Sequence, residues 1–219
     1  MEVIKRIIIL LLPILLVSCS EQTDVSLGEV DIEEDVFVSG KARMSLDYGR
    51  HPLEEQSENH EILLIGVHGS ESRGYEWVYP LQTLDTPEIL TLFFRWNDKE
   101  CPGPSYEKLY SSIDSLLQSN ANLKDVVVIG HSYGALLVSM FLSEWSKETP
   151  LEVHAIAGPL AGMPSINGLC LYNPPNLINN NVEFYEWRTI QALDGAFRDL
   201  NYDPQIIKKK KSAVTRLPE

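Results

Sequence analysis

An α/β domain, with a mostly parallel sheet, helices on both faces and an N-terminal antiparallel hairpin, is what this 219-residue sequence predicts. Three observations carry the prediction. Five short runs rich in aliphatic and β-branched residues recur along the chain, helical patterns separate several of them, and one run ends in Gly-x-Ser-x-Gly and passes straight into a helix-forming segment. A chain of 24.7 kDa without internal repeats is long enough for one domain with a sizeable core.

Met1 to Ser18 stands apart from that domain. Lys5 and Arg6 form a basic start, Ile7 to Val17 is an apolar stretch too short to span a bilayer as a stable helix, and Leu16-Val17-Ser18-Cys19 closes it. The tetrad resembles the lipobox of bacterial lipoproteins. The resemblance implies cleavage before Cys19 and acylation of its thiol and new amino group, an anchor to the cell envelope without a membrane-spanning helix. Ser20 stands where an aspartate often signals inner-membrane retention, so the expected location is the outer membrane. An ordinary secretory signal followed by an incidental cysteine is the plainer alternative.

Loss of residues 1–18 removes Lys5, Arg6 and Glu2, a net +1, and takes the formal charge from −13 to −14. Such a charge argues against nucleic acid as a partner and against attraction of the globular part to an anionic bilayer, leaving the lipid on Cys19 as the membrane contact. Residues 19–35, acidic and without apolar period from Glu21 onward, read as a tether, and the folded domain is expected over residues 36–219. Cys101 and Cys170 remain in a compartment that tolerates disulfides, where they either pair or stay as two buried thiols.

Within the domain, Val36 to Val38 and Ala42 to Tyr48 around Ser39-Gly40-Lys41 predict the hairpin. Strands are expected at Glu61–Val67, Ile89–Phe94, Asp125–Ile129, Glu152–Ala157 and Val182–Trp187. Tyr106 to Leu117 places Leu109, Ile113, Leu116 and Leu117 on one helical face, and Ala135 to Trp145 is apolar almost all round, as a deeply packed helix would be. His51 and His60, in polar sequence ahead of the core, read as solvated side chains.

Val126-Val127-Val128-Ile129-Gly130-His131-Ser132-Tyr133-Gly134 carries the chemistry. A strand, Gly-x-Ser-x-Gly and a helix in immediate succession form a nucleophile elbow, which lifts Ser132 above the sheet edge and points a helix N-terminus at it. Val67-His68-Gly69-Ser70 ends an earlier strand. With both motifs in this order, the chain from about Val36 to Asp199 resembles a lipase or esterase of the α/β-hydrolase superfamily. The resemblance implies an acyl-serine mechanism on an acyl ester substrate, with the backbone N–H groups of Ser70 and Tyr133 binding the oxyanion. His68 would shape that loop at the substrate site, and His131 would be structural, pointing away from the serine.

The family order places an acid after the serine and a histidine after the acid. Asp194, in an Asp-Gly pair after the last expected strand, is the preferred acid, with Asp199 and Asp203 as alternatives. No histidine follows Asp194. His154, alone after Ser132, lies within an expected strand and should face a packed helix, so the chain is expected to stop before its catalytic histidine, with Ala213 to Leu217 as the approach to a last strand. The four consecutive lysines ahead of it read as a solvated face.

Gly158 to Asn181 occupies the position of a lipase cap. It would line an acyl pocket with Leu160, Met163, Ile166 and Leu169, or else form a long surface loop; Tyr75, Trp77 and Tyr79 are further candidates for the cleft wall. No metal-ligand spacing, phosphate-binding loop or dinucleotide fingerprint is present, and no cofactor is expected. A thioesterase or acyltransferase would use the same elbow, and a non-catalytic envelope lipoprotein would keep the fold without the base.

Overall fold

The computed structural model describes residues 32–207 and 212–218; the signal segment, Cys19, the tether up to residue 31 and the lysine run 208–211 lie outside the described residues. Seven strands form one sheet in the order β1-β3-β2-β4-β5-β6-β7. They are β1 (Gly49–Pro52), β2 (Ile62–Val67), β3 (Ile89–Arg95), β4 (Asp125–His131), β5 (Leu151–Ile156), β6 (Val182–Arg188) and β7 (Ser212–Arg216). Only β1 is antiparallel, to β3, and the other neighbours run parallel. The five strands expected from sequence are β2 to β6, and the approach to a last strand is itself the edge strand β7.

The two faces of the sheet are covered unequally. Alternate residues Leu63, Ile65 and Val67 on β2, Val126 and Val128 on β4, Val153 and Ala155 on β5 and Phe184 on β6 point into the main core. There they meet α3 (Pro102–Ser119), α4 (Tyr133–Ser139) and α5 (Phe141–Glu144), through Leu109, Ile113, Leu137, Phe141 and Trp145. Each such side chain, fully buried, contributes about 1.5–3 kcal/mol. On the opposite face, α2 (Val78–Leu84) and the single turn before it bring Trp77 and Leu81 onto Phe93 and Leu53. Farther along that face, Leu64, Val127, Ile129, Ile156 and Trp187 line an open apolar groove of about 600 Å³, walled on one side by Pro80 and Leu84 of α2.

The expected N-terminal hairpin is instead a helix, α1 (Ile32–Ser45), so helical structure begins inside the segment read as tether. Gly40 is not a turn residue: a Cβ there would stand 2.3 Å from the backbone N of Tyr75, so glycine lets α1 lie directly on the turn Tyr75–Trp77. Phe37 packs against Tyr75 with the ring centroids 5.0 Å apart and the planes tilted by 59°. This tertiary contact overrides the β-propensity of Val36 and Val38. The antiparallel strand comes later, as β1. His51 and His60, expected to be solvated, are 4% and 2% exposed. His51 Nε2 reaches Asp47 O at 2.7 Å, and His60 Nδ1 accepts from Ser57 N at 3.0 Å.

Burial perturbs several ionisable groups. Arg43 on α1 is fully buried, its three guanidinium nitrogens have no hydrogen-bond partner, and its pKa is pulled down to about 10. His68, His131 and His154 all have lowered pKa values, in each case chiefly through desolvation, which disfavours the imidazolium. A histidine whose folded-state pKa is lowered adds stability above its unfolded pKa of about 6.5 and loses it as pH falls, because the unfolded chain takes up the proton first. Urea midpoints should therefore drop between pH 7.5 and pH 5.5, before ordinary carboxylates titrate, and a flat profile would show that these imidazoles are not held neutral. Gly134→Ala should cost about 3 kcal/mol or more in the same assay, since its Cβ would stand 2.4 Å from His68 O and 2.5 Å from Val67 O, where only backbone could yield. An unchanged midpoint would contradict that packing.

Candidate active site

β4 ends and α4 begins at Ser132, which has φ 53° and ψ −118°, a sparsely populated conformation costing about 1–3 kcal/mol. The turn is pinned by Ser132 N–H donating to Ile156 O on β5 at 2.8 Å. Its tightness explains the flanking glycines: a Cβ on Gly130 would stand 2.4 Å from Gly134 O. Tyr133, first residue of α4, has by helix geometry no intrahelical acceptor for its N–H. The Ser70 N–H, just beyond β2, has no acceptor among the described residues. Ser70, Ser132 and Tyr133 line one cavity of about 400 Å³.

The sheet explains the cavity's other walls. Val67 is in register with Phe94 on β3 and with Gly130 on β4, so the segments leaving β2, β3 and β4 emerge at one edge. The segment after β3 supplies Asp98, Lys99, Glu100 and Cys101. Sequence reasoning passed over Asp98, Lys99 and Glu100 and weighed Cys101 only for its pairing, although their place after a parallel strand was a usable signal. Met163, Ile166 and Leu169 line the cavity, on α6 (Pro164–Cys170) and the residue before it, together with Pro159, Ala196 and Phe197. Cys170 forms a disulfide with Cys101, which settles the alternative left open by sequence and ties α6 to the head of α3.

Other candidates lie elsewhere. Leu160 is 1% exposed and belongs to the main core rather than to an acyl pocket. His68 is fully buried beside the elbow, not on the cavity wall: Nδ1 donates to Gly69 O at 2.8 Å and Nε2 accepts from Trp96 N at 3.2 Å. Its contribution is to hold the Ser70 loop against β3. Trp77 is buried beneath the sheet, and neither Tyr75 nor Tyr79 reaches this cavity.

Asp194 sits in the loop after β6 that also brings Ala196 and Phe197 to the cavity. Its Oδ2 accepts from Thr189 Oγ1 at 2.6 Å and its Oδ1 from Ala196 N at 2.9 Å, which fixes the carboxylate. Burial lowers the pKa of His131, and the charges of Glu76 and, to a smaller extent, Asp194 oppose it. Asp199 has an almost fully exposed side chain, and Asp203 accepts from Gln205 N at 3.0 Å.

Histidine placement decides what this arrangement can do. His131 lines the groove on the α2 face of the sheet and not the serine cavity, with its Nδ1 close to Gly69. His154 shares that groove, where no helix packs over it; its Nδ1 accepts from Trp187 Nε1 at 3.2 Å, and its ring stacks on Tyr185 at 4.7 Å. Among the described residues no side chain hydrogen-bonds Ser132 Oγ. The cavity therefore holds the Ser132 hydroxyl and two N–H donors, with the Asp194 carboxylate held behind it in the loop of Ala196 and Phe197 and none of the five histidines on its wall.

No protein-family model matches the chain, and no curated protein matches it. Solved structures do. A phospholipase/carboxylesterase from Dyadobacter fermentans DSM 18053 aligns over 78% of this chain and 86% of its own, with TM-score 0.48 and 11% identity. The Pyrococcus furiosus esterase Pf2001 aligns over 79% and 83%, with TM-score 0.47 and 15% identity. Est1E from Butyrivibrio proteoclasticus aligns over 77% and 82%, with TM-score 0.49 and 17% identity. At such identities no residue role passes from them to this chain. Its own strand order, single antiparallel edge and serine turn between β4 and α4 make the architecture an α/β-hydrolase fold.

Proposed function

We propose that this chain is a carboxylic ester hydrolase of lipase or esterase type, working through an acyl-Ser132 intermediate. The observation that carries the reading is the strained Ser132 turn at the head of α4, opening into a cavity it shares with the free N–H groups of Ser70 and Tyr133. Ser132 Oγ attacks the ester carbonyl and gives its proton to a base, while the two N–H groups hold the oxyanion, each worth on the order of 3 kcal/mol. Collapse breaks the bond to the alcohol oxygen, which takes a proton and leaves. Water then repeats the sequence on acyl-Ser132, releasing the carboxylic acid and restoring the hydroxyl. Asp194 would orient and stabilise the base.

A second reading has its own support. Since serine is a weak nucleophile without an adjacent base, the placement of all five histidines away from Ser132 Oγ favours a lipoprotein that keeps the fold for binding. Free imidazole separates the two. In the ester-hydrolase reading it should speed fluorophosphonate capture at Ser132 by about tenfold or more. Ser132→Ala should abolish capture, and Asp194→Asn should cost less than Ser132→Ala. No capture of the wild-type chain with or without imidazole gives the binding reading.

We place the protein at a bacterial cell envelope, the outer membrane by preference, held by lipid on Cys19. The Cys101–Cys170 disulfide supports an oxidising compartment. Among the described residues no helix is long and apolar enough to cross a membrane. Cys19→Ser should leave the precursor uncleaved and unlabelled by radioactive palmitate; persisting label would remove the anchor.

A further inference from the structure

The cavity over Ser132 has two unlike walls. One is apolar, formed by Pro159, Met163, Ile166, Leu169 and Phe197. The other is the segment leaving β3, with Asp98, Lys99 and Glu100, two acidic residues and one basic. This second wall is built in place. Asp98 Oδ2 accepts from Glu71 N at 2.6 Å, and Tyr133, the residue after the nucleophile, donates its hydroxyl to Glu100 O at 3.1 Å. The Asp98 charge reaches the elbow, where it adds to burial in raising the Tyr133 phenol. The whole chain is acidic as well, with a formal charge of −13.

We propose that the Ser132 site selects acyl esters whose leaving group is uncharged or cationic, and rejects thioesters of polyanionic carriers built on a nucleoside phosphate. This rests on the acyl-serine reading and narrows its substrate class. The selection does not depend on which wall takes the acyl chain. The phosphates of such a carrier stand a long neutral arm away from the thioester, so they come to the rim of the cavity, where exposed Glu100, half-buried Asp98 and a formal charge of −13 present like charge. Lys99 offsets one of those carboxylates and leaves the other. A neutral or cationic alcohol meets no such repulsion.

Binding tests this without turnover. The full-length Ser132→Ala chain is titrated calorimetrically with three uncleavable ligands that share an octyl chain: a glycerol ether, a choline ether and a coenzyme A thioether. The first two should bind about tenfold or more tightly than the third at low ionic strength, and added salt should narrow the gap. In a Ser132→Ala chain that also carries Asp98→Asn and Glu100→Gln, the gap should largely close; the amide oxygen introduced by Asp98→Asn still accepts from Glu71 N, so the segment should stay in place. Equal or tighter binding of the coenzyme A thioether overturns the proposal, as does failure of all three to bind or a gap the extra substitutions leave unchanged. Fluorophosphonate capture by the wild-type chain reports on the acyl-serine reading separately. The expected binding order without any capture would retain the charge selection and remove the nucleophile.

Discussion

Everything near the candidate site depends on one backbone turn. Ser132 adopts φ 53° because strand, turn and helix converge where Gly130, Gly134 and the carbonyls of Val67 and His68 leave no room for a Cβ. The strain of the turn is small beside the packing that enforces it: α4 is buried from Gly134 to Ser139, and β5 holds Ser132 N–H through Ile156 O. A relaxed turn would withdraw the hydroxyl from the cavity and tilt the free N–H of Tyr133 away from it. Stability of the core and geometry of the site are therefore one constraint expressed at two scales.

The buried histidines belong to the same constraint. His68 spans the loop from β2 and the end of β3, with a donor and an acceptor that suit only the neutral ring. Its role is to keep Ser70 beside the elbow, and a charged imidazole there would lose the bond from Trp96 N. His154, stacked with both Tyr185 and Trp187, is committed to the far face of the sheet. Each of these imidazoles is held by its own packing and hydrogen bonds, so the number of histidines in a sequence says little about what lies within reach of one serine.

The parallel strands and the elbow were legible because each depends on a local pattern: β2, β3 and β4 carry continuous apolar runs, β5 and β6 alternate apolar with polar residues, and Gly-x-Ser-x-Gly joins strand to helix within a few residues. α1 was not legible, because its helical state rests on contact between Gly40 and the Tyr75 turn, far off in sequence. The cavity residues Met163, Ile166 and Leu169 could be read as a group, yet nothing local distinguished them from Leu160, which turns into the core. The wall from Asp98 to Cys101 was missed since its charged residues look like any surface loop until the register of β2, β3 and β4 brings their ends together. The buried state of His51 and His60 likewise depends on chain reversals that polarity alone does not announce.

The Cys101–Cys170 bond closes a ring of chain that contains β4, the serine turn, β5 and α6, while the Ser70 loop, Asp98 and Asp194 all lie outside it. The candidate site is thus divided topologically. In the unfolded chain the Ser70 loop and Asp194 can move away from Ser132 as far as the intervening chain allows, but Ser132 and α6 stay tethered through the covalent ring. On refolding, α6 and the serine search a small volume for each other, and the slower encounter is that of the ring with the strands on either side.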